Sequence, residues 1–315
     1  MAVEIPKTAY TGRIKEVTLG AGAKAVTVGG ETAYPFYLFE GKMPNPPKIA
    51  MEVWDMAPED WAPAALEPFA AVANDPVAWA KKCVTDYQAD MVCLQLVSTD
   101  PNGQNRGAEE AAQVVKKVAY AIDVPLIVWG TANHDKDTEV LRRVAELCQG
   151  KSLILGPVEE GDHKRIGAAA LAYKHTVAAS SPIDINLAKQ LNILLGNLGV
   201  PDQRLVVDPT VSGLGYGIEY CYSVMERMRM AGLVQQDEKL QFPIICNVSK
   251  EVWKTKEAKM PTAEDPKLGD ARRRGILLEA MSAMCLLLAG GDVLVMRHPE
   301  AIRLVREMVA EMTAA

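Results

Sequence analysis

The sequence predicts an α/β fold: a (β/α)8 TIM barrel that carries an N-terminal β-hairpin arm. Eight short apolar runs, rich in Val, Ile and Leu, follow one another from residue 48 onward and have the length of strands buried on both faces. Patterns typical of amphipathic helices lie between them. Each run also ends in polar residues, glycine or proline, which mark the point where the strand leaves the sheet. Eight strand–helix units that all run in one direction are typical of this barrel.

Length, composition and charge narrow the class of protein. A chain of 315 residues with 49% hydrophobic content can bury a full-sized core. The formal net charge of −6 argues against a nucleic-acid-binding protein, which usually has a basic face. The longest apolar run, residues 281–289, contains Ser282 and is shorter than the roughly 20 residues of a membrane span. The start MAVEIPK lacks the apolar core of a signal peptide, so we expect a cytoplasmic protein with neither nucleic acid nor membrane as partner.

The first 46 residues are predicted to form an arm. Residues 14–19 and 24–28 flank a Gly-Ala-Gly-Ala turn, a pattern typical of a β-hairpin. Residues 34–47 are rich in proline and aromatic side chains and indicate an extended connection. The domain prediction is therefore an arm at 1–46 and a barrel at 47–315.

The barrel elements follow in order. We predict strands at residues 48–54, 91–97, 126–129, 153–155, 176–179, 205–207, 244–248 and 293–296. The helices are predicted at 76–87, 108–121, 138–148, 163–173, 185–198, 218–231, 271–288 and 300–312. N-terminal signals such as Asp75-Pro76 and Asp270, and C-terminal glycines such as Gly150 and Gly199, support these limits. A doubly wound open sheet is the alternative, but no nucleotide-binding fingerprint follows the first strand.

Function in a barrel of this kind is expected at the carboxyl ends of the strands. The residues at these ends are polar and weakly acidic: Asp55; Ser98, Thr99 and Asp100; Gly130, Thr131 and Asn133; Gly156 and Pro157; Ser180 and Ser181; Asp208 and Thr210; Asn247 and Ser249; Arg297 and His298. They contain no familiar catalytic set. Lys250, the nearest candidate for a Schiff base, lies past the strand in a loop, and the chain has no G-x-S-x-G motif.

Two short motifs resemble those of the pterin-binding barrels, namely dihydropteroate synthase and the methyltetrahydrofolate:corrinoid methyltransferases. They are VVDPT at residues 206–210 and CNVS at 246–249. The resemblance implies that Asp208 and Asn247 stand where those enzymes hold the pterin ring and hydrogen-bond near its methyl-bearing nitrogen. The chain departs from that pattern in VWGT and LILGP, where the enzymes have an acidic residue and an Asn.

A fuller resemblance, over essentially the whole chain, is to the small subunit of the corrinoid iron-sulfur protein, the acetyl-CoA synthase/CO dehydrogenase delta-subunit family. It rests on YPFYLFEG, MEVWD, SPIDINLAKQLN, DPTVSGLGYGIEY and GGDVLVMRHPEA. The resemblance implies a barrel that pairs with a larger subunit holding a [4Fe-4S] cluster and a corrinoid. The heterodimer would accept a methyl group from methyltetrahydrofolate through a separate methyltransferase. It would then pass that group to acetyl-CoA synthase in the reductive acetyl-CoA (Wood-Ljungdahl) pathway.

The resemblance implies that this chain forms a non-catalytic wall of a corrinoid site, and its own sequence offers neither cluster nor cobalt ligands. The six cysteines form no C-x-x-C pair, and no histidine stands in a D-x-H-x-x-G motif. We therefore expect a methyl-carrier subunit with no catalytic and no metal-binding residues. The cofactor-binding candidates, chosen by their position at the mouth, are Thr131, Asn133, Asn186, Asp208, Thr210 and Asn247.

Alternatives remain open at this point. Asn186 follows Asp184 and can equally be a first-turn residue of a helix. The basic segment at 250–269 and the arginines Arg272, Arg273 and Arg274 fit a partner's acidic surface or a corrinoid phosphate, or else a solvated face. For the whole chain, the alternative function is a stand-alone pterin-dependent methyltransferase or a dihydropteroate synthase-like enzyme.

Overall fold

The structure is a computed structural model that describes residues 5–314, so positions 1–4 of the predicted arm and position 315 lie outside the described residues. Eight parallel strands close into a barrel in sequence order, with the last pairing with the first. The predicted (β/α)8 fold is therefore confirmed. The barrel strands are β3 (Lys48–Trp54), β4 (Met91–Gln95), β5 (Leu126–Trp129), β6 (Ile154–Val158), β7 (Thr176–Ser180), β8 (Leu205–Asp208), β9 (Ile244–Asn247) and β10 (Gly291–Met296).

Helices cover the outside of the barrel. Those between and after the strands are α1 (Pro63–Leu66), α2 (Pro76–Thr85), α3 (Ala108–Ala121), α4 (His134–Leu147), α5 (His163–Tyr173), α6 (Ile185–Leu198), α7 (Ile218–Leu233), α8 (Val248–Val252), α9 (Lys256–Lys259), α10 (Ala271–Leu288) and α11 (Pro299–Thr313). Four of these match the sequence prediction at both ends. The helix predicted from 138 begins four residues earlier, because the Asn133 side chain caps it by accepting from the Lys136 amide.

Alternation along the strands separates two apolar cores. In β3, Ile49, Met51 and Val53 pack outward into the layer between strands and helices. Ala50 of the same strand belongs to a second cluster inside the barrel, together with Met91, Cys93, Ile127, Trp129, Ile154, Ala178, Val206, Ile245, Val293 and Val295. Successive side chains of a strand point to opposite faces, so this pattern follows directly from barrel closure.

The N-terminal hairpin, strands β1 (Val17–Leu19) and β2 (Val26–Val28), packs against the barrel interior. The two strands are antiparallel, with Val17 opposite Val28, which confirms the predicted hairpin. The side chains of Val17, Leu19 and Val28 are buried in the interior cluster. The hairpin lies at the end of the barrel where the strands begin, since a Cβ atom on Gly20 would lie 2.7 Å from the Pro125 side chain, and Pro125 immediately precedes β5. The functional end is therefore the opposite one.

A glycine directly after β2 permits the close approach of the two ends of the hairpin. Gly29 has a φ of +82°, and a Cβ atom there would lie 2.2 Å from the Lys15 carbonyl oxygen. The division of the chain into an arm at 1–46 and a barrel at 47–315 stays a prediction. Within residues 5–314, every helix is too short or too polar to cross a membrane.

If the hairpin completes the barrel core, shortening one of its buried side chains must destabilise the whole fold. Leu19 is 1% exposed, and we expect Leu19→Ala to lower the free energy of unfolding by about 2–5 kcal/mol. Thr18→Ala is the matched control, because this neighbouring side chain is exposed and its hydroxyl forms a hydrogen bond with that of Thr27 across the hairpin. Denaturant unfolding of both variants tests the prediction, and equal small losses would contradict it.

Candidate functional site

The polar residues at the mouth continue the interior-facing alternation of the strands. Two positions beyond the apolar interior residues, the strands carry side chains of a different kind: Glu52, Gln95, Gly156, Ser180, Asp208, Asn247 and Arg297. Apart from Gly156 these residues are polar or charged, and all of them are at least nine-tenths buried. The barrel is thus apolar from the hairpin upward and polar at the carboxyl ends of its strands.

Two of these residues, Glu52 and Arg297, neutralise each other. The Arg297 Nε atom donates to Glu52 Oε2 at 2.8 Å, and the Trp54 indole N–H donates to Glu52 Oε1 at 2.8 Å. The guanidinium also lies 3.6 Å from the centre of the Trp61 ring. Burial alone would raise the pKa of Glu52, but the Arg297 charge and these hydrogen bonds outweigh it and lower the pKa. Both charges are therefore already satisfied within the chain.

Asp208 is a buried carboxyl whose protonation changes near neutral pH. Its Oδ2 accepts from the Ser180 hydroxyl at 2.8 Å, and its Oδ1 accepts from the Thr210 amide at 2.9 Å. The Ser180 contact follows from strand register, since residue 180 of β7 pairs with residue 208 of β8. Burial raises the pKa of Asp208 to about 7, against the opposing effects of these hydrogen bonds and of the Lys250 ammonium.

Asn247 presents an amide with no protein partner. It is 6% exposed, yet neither its Oδ1 nor its Nδ2 atom forms a hydrogen bond with any described residue. The nearby Thr210 hydroxyl likewise has no partner among the described residues, and Thr210 adopts a φ of +54°, which is unusual for a residue with a branched side chain. Buried polar groups are normally paired, so these orphaned atoms mark a place where a ligand can bind.

Two cavities open at the mouth, and Lys250 lines both. One has a volume of about 200 Å³ and contains Asp208, Thr210 and Asn247, together with Trp129, Glu159, Ser180 and Glu251 among others. We call it the amide cavity. The other has a volume of about 190 Å³ and is lined by Glu52, Trp54, Gln95, Leu96, Val97, Asp100, Gly130 and Thr131.

The six residues predicted from the sequence fall into three sets. Asp208, Thr210 and Asn247 lie together in the amide cavity, and Thr131 lines the second cavity. The Thr131 hydroxyl is partly occupied, because it donates to Asp137 Oδ1 at 3.1 Å. Asn133 and Asn186 line neither cavity.

Local structure explains the positions of those two asparagines. The Asn133 side chain is used as the cap of α4. Asn186 is an exposed first-turn residue of α6, where Asp184 provides the cap through the amides of residues 186 and 187. The alternative left open for Asn186, a helix first-turn position, is the one that the structure has. Whether any of the six contacts a corrinoid stays a prediction.

Several residues that shape the mouth are not evident from the sequence, above all Lys250 and Glu159. From the sequence Lys250 is only a candidate Schiff-base lysine, although its side chain lies beside both cavities. Burial raises the pKa of Glu159, and the neighbouring His134 opposes this. The usable signal is the two-residue period of the strands, which identifies the last interior-facing position of each. Glu52 and Gln95 lie within their strands and not after them, so a search of the strand exits alone misses both residues.

The basic segment after β9 and the arginines that follow it form ion pairs and hydrogen bonds within the chain. Arg272 donates to Glu67 at 2.9 Å and also pairs with Glu300, while Arg274 donates to the Glu257 carbonyl oxygen at 2.7 Å. Two of the three arginines at the start of α10 are thus bound within the chain, and Arg272 and both of its partners remain exposed to solvent. Among the described residues, no group of three or more His, Cys, Asp or Glu side chains is arranged to hold a metal ion.

The buried Asp208 carboxyl makes the stability of the chain depend on pH. Its pKa rises from 3.8, the ordinary value, to about 7 on folding, so the folded state binds this proton more tightly than the unfolded chain does. The contribution of Asp208 to the free energy of unfolding is therefore largest below the ordinary pKa. It falls by up to about 1.4 kcal/mol per pH unit as the pH rises towards 7. Asp208→Asn removes this titration and keeps a side chain that can bond to Ser180 and Thr210.

We expect the free energy of unfolding to fall less steeply between pH 5 and pH 7 in Asp208→Asn than in the original chain. Part of the slope remains in the variant, because burial also raises the pKa of Glu279 to about 7. Denaturant titrations at the two pH values measure the difference. Identical slopes for the two proteins would show that Asp208 does not carry the raised pKa.

Comparison with solved structures identifies the fold. A dihydropteroate synthase from Xanthomonas albilineans superposes with a TM-score of 0.59 over 96% of this chain and 100% of its own, at 13% sequence identity. The enzyme from Thermus thermophilus gives a TM-score of 0.56 over 89% of this chain and 98% of its own, at 15% identity. At such low identity the likeness concerns the barrel fold alone.

Comparison with protein families is more specific. The family model described as CO dehydrogenase/acetyl-CoA synthase delta subunit matches residues 16–313. The acetyl-CoA decarbonylase/synthase complex subunit delta of Archaeoglobus fulgidus is 38% identical over 96% of this chain and 69% of its own length. The corresponding subunit of Methanopyrus kandleri is 38% identical over 96% of this chain and 76% of its own. The chain belongs to the CO dehydrogenase/acetyl-CoA synthase delta subunit family.

Proposed function

We propose that this chain is the small, non-catalytic subunit of a heterodimeric corrinoid iron-sulfur methyl carrier that serves an acetyl-CoA decarbonylase/synthase complex. Its relatives are named as subunits of that complex, and this membership is the observation that carries the proposal. The methyl group would come from methyltetrahydrofolate through a separate methyltransferase and pass to acetyl-CoA synthase. The barrel mouth would cover a corrinoid held by the larger subunit.

The mouth has features that fit a corrinoid. The ring carries carboxamide side chains, and the orphaned Asn247 amide and Thr210 hydroxyl supply the donors and acceptors that such groups need. Trp54 and Trp129 add apolar surface beside the two cavities. A bound corrinoid supplies the centre that carries the methyl group, whereas the residues of this chain bind its edge and shield it from water.

The cysteines bear on which of the two subunits would hold the iron-sulfur cluster. The chain has six and none is arranged as C-x-x-C, so we propose that the [4Fe-4S] cluster belongs to the larger subunit. Five of them are buried: Cys83, Cys93, Cys148, Cys221 and Cys246. Burial raises the pKa of the Cys93 and Cys246 thiols, which lie on barrel strands, well above the ordinary value. Such cysteines act as small apolar core residues.

A larger subunit would need a surface beside the mouth. Tyr216 is 94% exposed and Tyr220 is 61% exposed, and both follow closely after the loop of residues 210–212 that lines the amide cavity. Tyrosine is enriched in protein interfaces because it combines a large apolar ring with a hydroxyl group. We propose that these two side chains contact the larger subunit.

Co-production with the larger subunit tests the proposed function. The two chains should purify together, with the absorbance of a corrinoid and of an iron-sulfur cluster. This chain produced alone should show neither absorbance and should transfer no methyl group from methyltetrahydrofolate. Methyl transfer by the isolated chain, or a complex without corrinoid after production in a corrinoid-supplied host, would contradict the proposal.

The position of the larger subunit is tested by substitutions of exposed tyrosines. Tyr216→Asp and Tyr220→Asp should each weaken the heterodimer by about tenfold or more, because they place a charge in the proposed interface. Tyr120→Asp is the matched control: this side chain is 60% exposed but lies near the end of α3, beside the opposite face of the barrel. Affinities from analytical ultracentrifugation decide the matter, and equal effects at all three positions would contradict this interface.

One observation favours a second candidate, a stand-alone pterin-dependent enzyme. Asp208 and Asn247, the two residues that match the pterin motifs, do lie in the same cavity. Such an enzyme would bind methyltetrahydrofolate without the larger subunit, whereas the carrier subunit would not. Calorimetric titration of the isolated chain with methyltetrahydrofolate distinguishes the two candidates.

A further inference from the structure

The amide cavity is too small for a macrocycle and large enough for one of its side groups. Its volume is about 200 Å³, below the roughly 300–1,000 Å³ of cavities that enclose whole ligands. Asn247 is almost fully buried at this place, with an exposure of 6%, and both polar atoms of its amide lack a partner among the described residues. The group that belongs there must offer Asn247 a donor and an acceptor at the same time.

The charges around the cavity oppose an anionic group. Asp208, Glu159 and Glu251 line it, and the only lysine or arginine among the lining residues that the structure describes is Lys250. Glu251 also pairs with Lys254, and Glu159 Oε2 lies 3.6 Å from His134 Nε2, so among the described residues Asp208 is the carboxyl without a second cationic neighbour of this kind. The Lys250 ammonium already acts on Asp208 and Glu159, since it opposes the rise that burial causes in the pKa of both carboxyls. A carboxylate placed beside Asn247 would meet like charges in a poorly solvated space. A neutral group with both donor and acceptor avoids this cost, and a primary carboxamide is such a group.

We propose that the amide cavity selects one peripheral carboxamide of the corrinoid and rejects the corresponding carboxylate. Asn247 pairs with the carboxamide in both directions: its Nδ2 donates to the carbonyl oxygen and its Oδ1 accepts from the NH2 group. The Thr210 hydroxyl, which has no partner in the described part of the chain, completes the set. Asp208 acts as the selective element, because its carboxyl is fixed by Ser180 and the Thr210 amide at the wall of the cavity.

This inference rests on the proposed function and makes it more specific. It gives the mouth a fixed orientation on the corrinoid, because only one side group enters the amide cavity. It also assigns the contact with the carboxamide to Asn247 and Thr210 and not to Asn133, whose side chain caps α4.

The test uses the heterodimer freed of its corrinoid, titrated at pH 8 with aquocobalamin and with each of its mono-acids, in which one peripheral carboxamide has been hydrolysed. Binding is followed by the absorbance of the corrinoid. We expect one mono-acid to bind at least about tenfold more weakly than aquocobalamin, as befits a charge brought against buried carboxylates. The other mono-acids should bind like aquocobalamin.

Two variants locate the effect. Asn247→Leu should weaken aquocobalamin binding by about tenfold, since the carboxamide loses its partner in a buried place. Asp208→Asn should bind the disfavoured mono-acid more tightly than the original heterodimer does, a gain that misfolding cannot produce. Asn197→Ala serves as the control, because Asn197 is exposed near the end of α6, away from the mouth, and its removal should change neither affinity.

The outcomes separate this inference from the proposed function. A heterodimer that binds no corrinoid of any kind would overturn both. Tight binding of aquocobalamin and of every mono-acid with equal affinity would overturn the inference and leave the carrier function standing. Selection that persists unchanged in Asp208→Asn would show that another part of the protein recognises the side group.

Discussion

Closure of eight parallel strands into a barrel forces every second side chain of each strand into one narrow interior, and the rest of the structure follows from how that space is filled. At the end where the strands begin, Val17, Leu19 and Val28 of the hairpin join the apolar interior residues. At the other end the same alternation brings a ring of polar side chains together. The described hairpin covers the end where the strands begin, and the two cavities of the mouth open at the other end.

The polar groups at the mouth differ in how fully the chain satisfies them. Glu52 and Arg297 form a buried ion pair, with further contacts from Trp54 and Trp61, so their charges are satisfied within the chain. Asn247 and Thr210 have orphaned atoms, which cost free energy in the absence of a partner. That contrast, more than the presence of polar residues as such, locates the binding place within the mouth. It lies at the ends of β8 and β9, and β9 pairs with β10, the strand that leads to Arg297.

Sequence patterns predict most of the fold because the spacing of apolar residues indicates which side chains are buried. The eight apolar runs, the capping residues and the hairpin turn gave the element order, and the limits of α3, α5, α6 and α10 agree at both ends. The site was predicted less completely. Asp208 and Asn247 were found because they end strands, whereas Asn133 looked similar in sequence but is used as a helix cap. Lys250 could not be placed over the mouth from sequence, since its position depends on the short helix α8 that follows β9.

In the proposed complex a corrinoid lies between this barrel and a larger subunit, with the loop after β8 and the end of β9 against its edge. A crystal structure of the corrinoid-loaded heterodimer tests this most directly. We expect the macrocycle to lie over the mouth, with Asn247 within hydrogen-bonding distance of one of its carboxamides. A corrinoid bound elsewhere, with the mouth of this barrel facing solvent, would contradict the central claim.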